Sequence, residues 1–265
     1  MELFNSVFEG VVYGDEKRAL GALYLSLKDI YRFKGSKHEI STPNSVYDHA
    51  EGLVRLIGEV FKDLPIHLSE YKVKLLRMAY LHDMGEVFGE LSVLDNVLDT
   101  KTKGIANKSE LEYIFFCEAI RSFISLPNFS NLIHEDRRML SNIIYGNYEF
   151  GSKVKDFKSY NLEVSSELLY WYCISANYNT PVPHYLNKTF KMLDLIEGCQ
   201  YYIANAQNPE YVPSEHIDRY QKHYTDELGA LIAEPNYTFE VGTIKLKVIA
   251  IAIKTYRDYL ELMGL

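Results

Sequence analysis

The chain has 265 residues, of which 47% are hydrophobic and 24% charged, a balance typical of a globular protein with one large domain or two small ones. Its formal net charge of −8 disfavours a long nucleic acid as a partner, because an acidic chain repels polyanions, whereas small anionic ligands remain compatible with local basic groups. The three cysteines are far apart and form no C-x-x-C pair, so neither a disulfide framework nor a cysteine zinc site is expected.

The sequence gives no sign of secretion or of a membrane span. Residues 1–12 lack a basic segment followed by a long apolar core. The longest strongly apolar run, residues 248–253, is far shorter than the roughly 20 residues that cross a bilayer as a helix. Together with a cysteine usage that fits a reducing compartment, these features predict a cytoplasmic protein without a membrane partner.

The first third of the chain has helical periodicity. Residues 15–31 predict a first helix with one apolar side, and the Asn44/Ser45 pair predicts the start of a second helix. A third helix is expected to begin near Ser69 and to stop near Gly85, because glycine favours the C-terminal end of a helix. The apolar stripe predicted for the second helix consists of Val46, Ala50, Leu53, Val54, Ile57, Val60 and Phe61.

The rest of the chain also reads as mainly helical. Few segments alternate with the two-residue period of a strand, so we predict an all-α fold; one short strand at residues 238–241 is compatible with it. Residues 92–108 predict an exposed loop, and residues 179–183 predict a turn. Further helices are predicted after a cap at Ser109, at residues 134–144 and 165–176, from about Asn187, and near residues 213–231 and 243–262.

Three ionisable residues fall on the apolar faces of these predicted helices. His49, His82 and Asp194 each lie three or four residues from apolar residues of the same face, so they are directed into a core. A buried charge must be paired, neutralised or bound to a metal. Two histidines with Asp83 and Asp194 would suit a divalent transition metal and leave positions for water. The alternative is that each histidine is a hydrogen-bonded core residue and that Asp194 pairs with a basic neighbour.

The order of these residues resembles the HD-domain phosphohydrolase superfamily, whose pattern is a histidine, then a His-Asp pair, then a distant aspartate, on the helices of an all-α bundle. The matching residues are His49 in SVYDHAEGLVRL, His82 and Asp83 in YLHDMGEVFGE, and Asp194 in FKMLDLIEGCQYYI. The ordered set is considerably more specific than an isolated His-Asp pair.

Within this superfamily the chain is most similar to the bacterial 5'-deoxynucleotidases. The shared features are Asp48 before the first histidine, Glu86 three residues after the His-Asp pair, and a late aspartate helix followed by a polar turn. The resemblance covers residues 15–102 and 189–231. It implies an HD-type helical bundle.

The chain departs from the family pattern at two places. The Gly-Asp pair that usually follows the glutamate is replaced by Gly89-Glu90, and the last aspartate lies farther from His82 than in compact members. We therefore predict a single HD-type domain over residues 1–265 with an inserted helical segment within residues 127–186. Such an insertion would build a lid, a substrate-selecting wall or a contact between subunits.

The resemblance implies that His49, His82, Asp83 and Asp194 hold one divalent cation. Imidazole and carboxylate groups suit Mn, Co, Fe, Ni, Zn or Mg, and the sequence does not choose among them. The cation would acidify a water molecule that attacks phosphorus, so Asp83 counts among the catalytic residues. Glu86 is the predicted general acid/base; the alternative is a helix-end carboxylate in solvent.

Three basic residues are predicted to bind the substrate. Arg32 resembles the family's phosphate-binding arginine, and its fork geometry suits two phosphate oxygens; the alternative is a surface ion pair. Lys101 and Lys103 are placed on a loop over the pocket, where a solvated basic loop is the competing interpretation.

The function implied is a metal-dependent phosphohydrolase that releases phosphate from deoxynucleoside 5'-monophosphates, with a small nucleotide as its partner. Hydrolysis of nucleoside triphosphates or alarmones is an alternative, as is a catalytically silent module that senses nucleotides. The apolar final helix is predicted to be buried in the bundle or to form an interface, and related phosphohydrolases are often dimeric, so we expect a homodimer.

Overall fold

The computed structural model describes residues 1–32, 44–91, 108–125, 164–176, 184–205 and 214–265. Several predictions fall outside these residues: the helix at 134–144, the turn at 179–183, most of the insertion at 127–186, and the basic residues Lys101 and Lys103.

The described chain is predominantly helical, which confirms the all-α class. Its strands are a short pair, β1 (Tyr31–Arg32) and β2 (Asn44–Ser45), which are hydrogen-bonded neighbours. Three 3₁₀ helices cover Leu27–Asp29, Ile66–Leu68 and Met84–Leu91. The α-helices are α1 (Glu2–Val7), α2 (Gly14–Ser26), α3 (Val46–Phe61), α4 (Ser69–Leu81), α5 (Lys108–Ser125), α6 (Ser166–Ser175), α7 (Asn187–Asn205), α8 (Ser214–Ala233) and α9 (Phe239–Leu262).

The chain divides into two compact units. The first consists of the described parts of Met1–Tyr31, Ser45–Tyr47 and Tyr80–Pro181. The second consists of the described parts of Arg32–Asn44, Asp48–Ala79 and Val182–Leu265. Whether the chain is a single HD-type domain stays a prediction.

Aromatic side chains form much of the core of the first unit. Phe4 stacks on Tyr24 with ring centroids 4.9 Å apart, and Tyr80 packs edge-on against Tyr24 at 5.1 Å. Farther along the chain, Phe116 of α5 and Tyr172 of α6 stack at 4.0 Å with nearly parallel rings. Helix α5 also packs against α2 and against the 3₁₀ helix that follows α4. These contacts hold the segment after α4 on a buried framework.

The second unit is built around α7, which packs against α8 and α9. The hydroxyl of Tyr224 donates a hydrogen bond to the carbonyl of Ala252 over 2.9 Å, which joins α8 to α9. Nζ of the buried Lys245 donates to the carbonyl of Glu234 over 2.5 Å, just after α8 ends. One face of α9 is therefore buried in this unit, as its apolar residues predicted.

Helix α3 agrees with the sequence-based prediction along its length. It begins directly after Ser45, and every residue of the predicted apolar stripe is buried. The predicted caps at Asn44 and Ser45 are strand residues as well, and the amide of Val46 donates to the carbonyl of Ile30 over 2.8 Å. The helix therefore starts where strand pairing stops.

The end of α4 differs from the prediction. The helix stops at Leu81 instead of near Gly85, and a 3₁₀ helix follows. A Cβ atom added to Gly85 would lie 2.4 Å from the Glu112 carbonyl oxygen and 2.4 Å from the Tyr172 hydroxyl oxygen. Gly85 thus serves close packing of the backbone against α5 and α6, which accounts for a glycine at this position without a helix cap.

The prediction of a possible strand at residues 238–241 is wrong, because α9 starts in this segment. The hydroxyl of Thr238 accepts a hydrogen bond from the amide of Val241 over 3.2 Å and caps the helix. Helix α9 consequently begins at Phe239, before the predicted start at 243.

The cysteines are unpaired, as predicted. Burial raises the pKa of the Cys117 thiol to about 12, and raises the pKa of the Cys173 and Cys199 thiols to about 11. All three are therefore protonated thiols at neutral pH. None of the helices in the described ranges combines the length and the apolar character needed to cross a bilayer.

Candidate metal centre

His49 is the best-defined residue of the predicted site. It lies on α3, is fully buried, and faces two carboxylates of α7. Its Nε2 lies 3.1 Å from Oδ1 of Asp194, and its Nδ1 contacts Oε2 of Glu197. Because Asp194 and Glu197 are three residues apart on one helix, they share a face and reach the two sides of the same imidazole ring.

The carboxylate of Asp194 contacts both His49 and Lys191. Its second oxygen, Oδ2, accepts a hydrogen bond from Nζ of Lys191 over 2.9 Å. The Asp194 side chain is 16% exposed, whereas that of Lys191 is 45% exposed. The predicted alternative, an ion pair with a basic neighbour, is therefore present, but it occupies the oxygen that does not face His49.

Glu197 was missed in the sequence analysis. It follows Leu193 by four residues on the buried face of α7, and only 9% of its side chain is exposed. The reasoning that singled out His49, an ionisable residue at apolar spacing, would have found Glu197 as well. Gly52 makes room for it, since a Cβ atom at Gly52 would lie 2.2 Å from Oε1 of Glu197.

His82 and Asp83 lie in the first unit, in the turn between α4 and the 3₁₀ helix. Nε2 of His82 is 3.0 Å from Oδ2 of Asp83. The His82 side chain is nearly buried, and that of Asp83 is 21% exposed. The backbone amide of Glu86 donates to the carbonyl of Asp83 over 2.9 Å, and Glu86 itself is partly buried. The general acid/base predicted from the sequence thus follows the His-Asp pair directly in one tight segment.

Tyr172 lies beside this segment in the same unit. Burial raises the pKa of its phenol well above the ordinary range, and the charges of Glu112 and Asp83 add to that effect. Its buried hydroxyl has no hydrogen-bond partner among the residues that the structure describes. Tyr172 therefore stays protonated at neutral pH.

The predicted ligands are thus found as two pairs, His49 with Asp194 in the second unit and His82 with Asp83 in the first. Of the predicted substrate residues, Arg32 has its backbone in β1 and its side chain is not among those described, and Lys101 and Lys103 lie outside the described residues.

The His49 environment fits a divalent cation. A metal-binding imidazole typically donates its second N–H to a carboxylate, which orients the ring, while the other nitrogen and neighbouring carboxylate oxygens face the ion. At His49, Glu197 is the carboxylate that accepts from one ring nitrogen, and Asp194 is the carboxylate beside the other nitrogen, which would face the ion. Neutral imidazole and carboxylate donors suit first-row divalent metals.

Comparison of the chain with protein-family models, with curated proteins and with solved structures finds no match.

Proposed function

We propose that this chain is a metal-dependent phosphohydrolase with an HD-type helical bundle, and that it releases phosphate from deoxynucleoside 5'-monophosphates in the cytoplasm. The observation that carries the proposal is the fully buried imidazole of His49 between the carboxylates of Asp194 and Glu197. The order of His49, His82, Asp83 and Asp194 along the chain adds the resemblance to the family.

A purely structural cluster explains this arrangement less well. Burying an imidazole and two carboxylates costs desolvation free energy, and apolar side chains of similar volume often fill such a space with equal or greater stability. A cation site, in contrast, requires nitrogen and oxygen donors at this place. Metal binding therefore gives a reason for His49 on an otherwise apolar face of α3 and for the two carboxylates of α7 that meet it.

In the proposed site, His49, His82, Asp83 and Asp194 hold one divalent cation (Mn, Co, Fe, Ni, Zn or Mg). When bound, the cation lowers the pKa of a water molecule enough to supply the nucleophile at neutral pH. Asp83 offers a carboxylate oxygen beside His82. The peptide hydrogen bond from Glu86 to Asp83 fixes the start of the 3₁₀ helix that carries Glu86.

Glu86 is the proposed general acid/base. Its carboxyl group would donate a proton to the leaving oxygen of the nucleotide, and its backbone is joined by a hydrogen bond to Asp83, one of the proposed ligands. Arg32, Lys101 and Lys103 are proposed to bind the substrate phosphate, whose charge is spread over its oxygens. The homodimer remains part of the proposal and is tested by the mass of the chain in light scattering.

The experiment combines elemental analysis of the purified protein with a nucleotide panel. We expect a stoichiometric divalent metal and metal-dependent phosphate release from deoxynucleoside 5'-monophosphates, with little release from triphosphates. Asp83→Ala should lower the release at least about 100-fold, since groups at the reacting centre typically contribute this much. Asp63→Ala is the control, because Asp63 is 80% exposed and contacts only Lys247 among the described ion pairs.

Three results would contradict the proposal in different ways. Preferential release of phosphate from triphosphates or from alarmones would show that the substrate is not a deoxynucleoside 5'-monophosphate. Tight nucleotide binding without release would favour the nucleotide-sensing module. Absence of both metal and nucleotide binding would leave a helical protein without this function.

A further inference from the structure

We propose that Glu197 is a positioning residue of the metal centre. It accepts the Nδ1 hydrogen of His49, so that Nε2 is the nitrogen left for the cation, and Gly52 provides the space that this contact needs. The inference rests on the proposed metal site and deepens it.

The chemistry of imidazole explains why such a residue is needed. A neutral imidazole carries one N–H, and the nitrogen that bears it cannot bind a metal. The hydrogen bond made by one nitrogen therefore decides which of the two becomes the ligand. At His49, Nδ1 contacts Glu197, and Nε2 faces Asp194. An acceptor at Nδ1 keeps the hydrogen there and leaves the lone pair on Nε2.

Glu197 and Asp194 differ in ways that assign them different roles. The side chain of Glu197 is 9% exposed, and no lysine or arginine of the described ranges forms an ion pair with it. Asp194 is more exposed, and one of its oxygens is bound by Lys191. Asp194 therefore suits a ligand on the open side of the imidazole, whereas Glu197 lies behind it.

Gly52 belongs to the same arrangement. It follows His49 by three residues, so both lie on the face of α3 that meets α7. An added Cβ would lie 2.2 Å from Oε1, 2.8 Å from Cδ and 3.0 Å from Cγ of Glu197. Any side chain at this position would displace the carboxylate from Nδ1. A glycine inside a helix lowers its stability by roughly 1 kcal/mol relative to alanine, and at this position the carboxylate of Glu197 gives a steric reason for the glycine.

The test measures the affinity of the metal-free protein for Mn²⁺ by titration calorimetry, with and without substitutions at these two positions. We expect Glu197→Met and Gly52→Ala each to weaken binding by about 10-fold to 100-fold, the usual effect of losing the partner of a ligand histidine. The double variant should lose little more than the weaker-binding single variant, because both changes act through one carboxylate.

Gly58→Ala is the matched control. Gly58 lies on the same helix, and an added Cβ would meet nothing within 4 Å, so its Mn²⁺ affinity should equal that of the wild type. Thermal unfolding of each variant without metal shows that it folds. If Gly52→Ala does not fold, Glu197→Met still decides the question, because methionine keeps roughly the length of the side chain but offers no oxygen to the Nδ1 hydrogen.

The outcomes separate the two proposals. If the wild type binds Mn²⁺, and His49→Ala abolishes binding while Glu197→Met and Gly52→Ala bind normally, the positioning role is wrong and the metal site stands. If losses in the two single variants add in the double variant, the carboxylate is not their shared cause, and the inference fails. If the wild type binds no divalent metal, both proposals fall.

Discussion

His184 is held in its neutral form by its surroundings. Its Nδ1 accepts a hydrogen bond from the amide of Leu186 over 3.2 Å, and its ring stacks on Tyr185 with centroids 4.2 Å apart. Burial, and then the charge of Lys74, lowers the pKa of His184 from 6.5 to about 4. Because the folded chain binds this proton more weakly than the unfolded chain does, His184 contributes stability above pH 6.5 that is lost as the pH falls towards 4.

The substitution His184→Asn tests this pH dependence. An asparagine amide oxygen can accept the same hydrogen bond from Leu186 but does not titrate. As the pH falls from about 7.5 to about 5, the free energy of unfolding of the variant should rise relative to that of the wild type by about 1 kcal/mol, roughly half of what the lowered pKa would give at full burial, because His184 is only partly buried. Urea unfolding at both pH values gives this difference, and parallel pH profiles would show that the pKa of His184 is the same in the folded and the unfolded chain.

At the scale of single elements, the 3₁₀ helix after α4 depends on the absence of a side chain at Gly85. The Cβ atom of an alanine at this position would lie 2.4 Å from the Glu112 carbonyl oxygen and 2.4 Å from the Tyr172 hydroxyl oxygen, which is too close for either contact. The Glu112 carbonyl belongs to the backbone of α5 and cannot move away as a flexible side chain would. The 3₁₀ helix must therefore shift to make room for the added Cβ. Since His82 and Asp83 immediately precede this helix, we expect the shift to reach the proposed metal ligands.

Gly85→Ala should therefore lower the free energy of unfolding by about 1–3 kcal/mol, the usual cost of overpacking, and should weaken Mn²⁺ binding. Gly229→Ala in α8 is the control, because an added Cβ there meets nothing within 4 Å. Urea unfolding and calorimetric titration measure the two effects. Wild-type stability in Gly85→Ala would mean that the contact with Glu112 and Tyr172 is not tight in the folded protein.

The sequence predicts elements well where one periodic pattern decides the structure. Helix α3 is an example, because each apolar residue at helical spacing is buried. The prediction was wrong where a local side-chain contact decided the structure. Residues 238–241 are compatible with a strand, but the Thr238 hydroxyl caps a helix there. The end of α4 was missed because the close approach of Gly85 to α5 is a tertiary contact, which no single-helix pattern contains.

For the candidate site, the sequence indicated which residues face inward but not all of their partners. His49 and Asp194 were expected to point into a core from their own helices, and the structure brings their side chains together. Glu197 also lies at apolar spacing and was overlooked, but its contact with His49 depends on the space that Gly52 leaves on another helix, which the spacing does not show. Spacing within one helix identifies which residues face inward, but the partners of those residues are set by how two helices pack.

At the scale of the whole molecule, the proposed cation has ligands that lie far apart in the sequence, His49, the pair His82 and Asp83, and Asp194. A cation that binds only the folded chain stabilises it by about 2.7 kcal/mol when present at roughly 100 times its dissociation constant. This stabilisation should extend to every segment that holds the ion, because local opening of such a segment would release it.

Hydrogen exchange followed by mass spectrometry tests whether one cation is shared. On addition of Mn²⁺ at roughly 100 times its dissociation constant, exchange should slow by up to about 100-fold in peptides from α7 and in peptides that contain residues 82–87. His49→Ala should remove the protection in both places, although His82 and Asp83 are unchanged. Protection confined to one of the two segments would mean that the pairs do not share an ion, and that the proposed four-ligand centre is wrong.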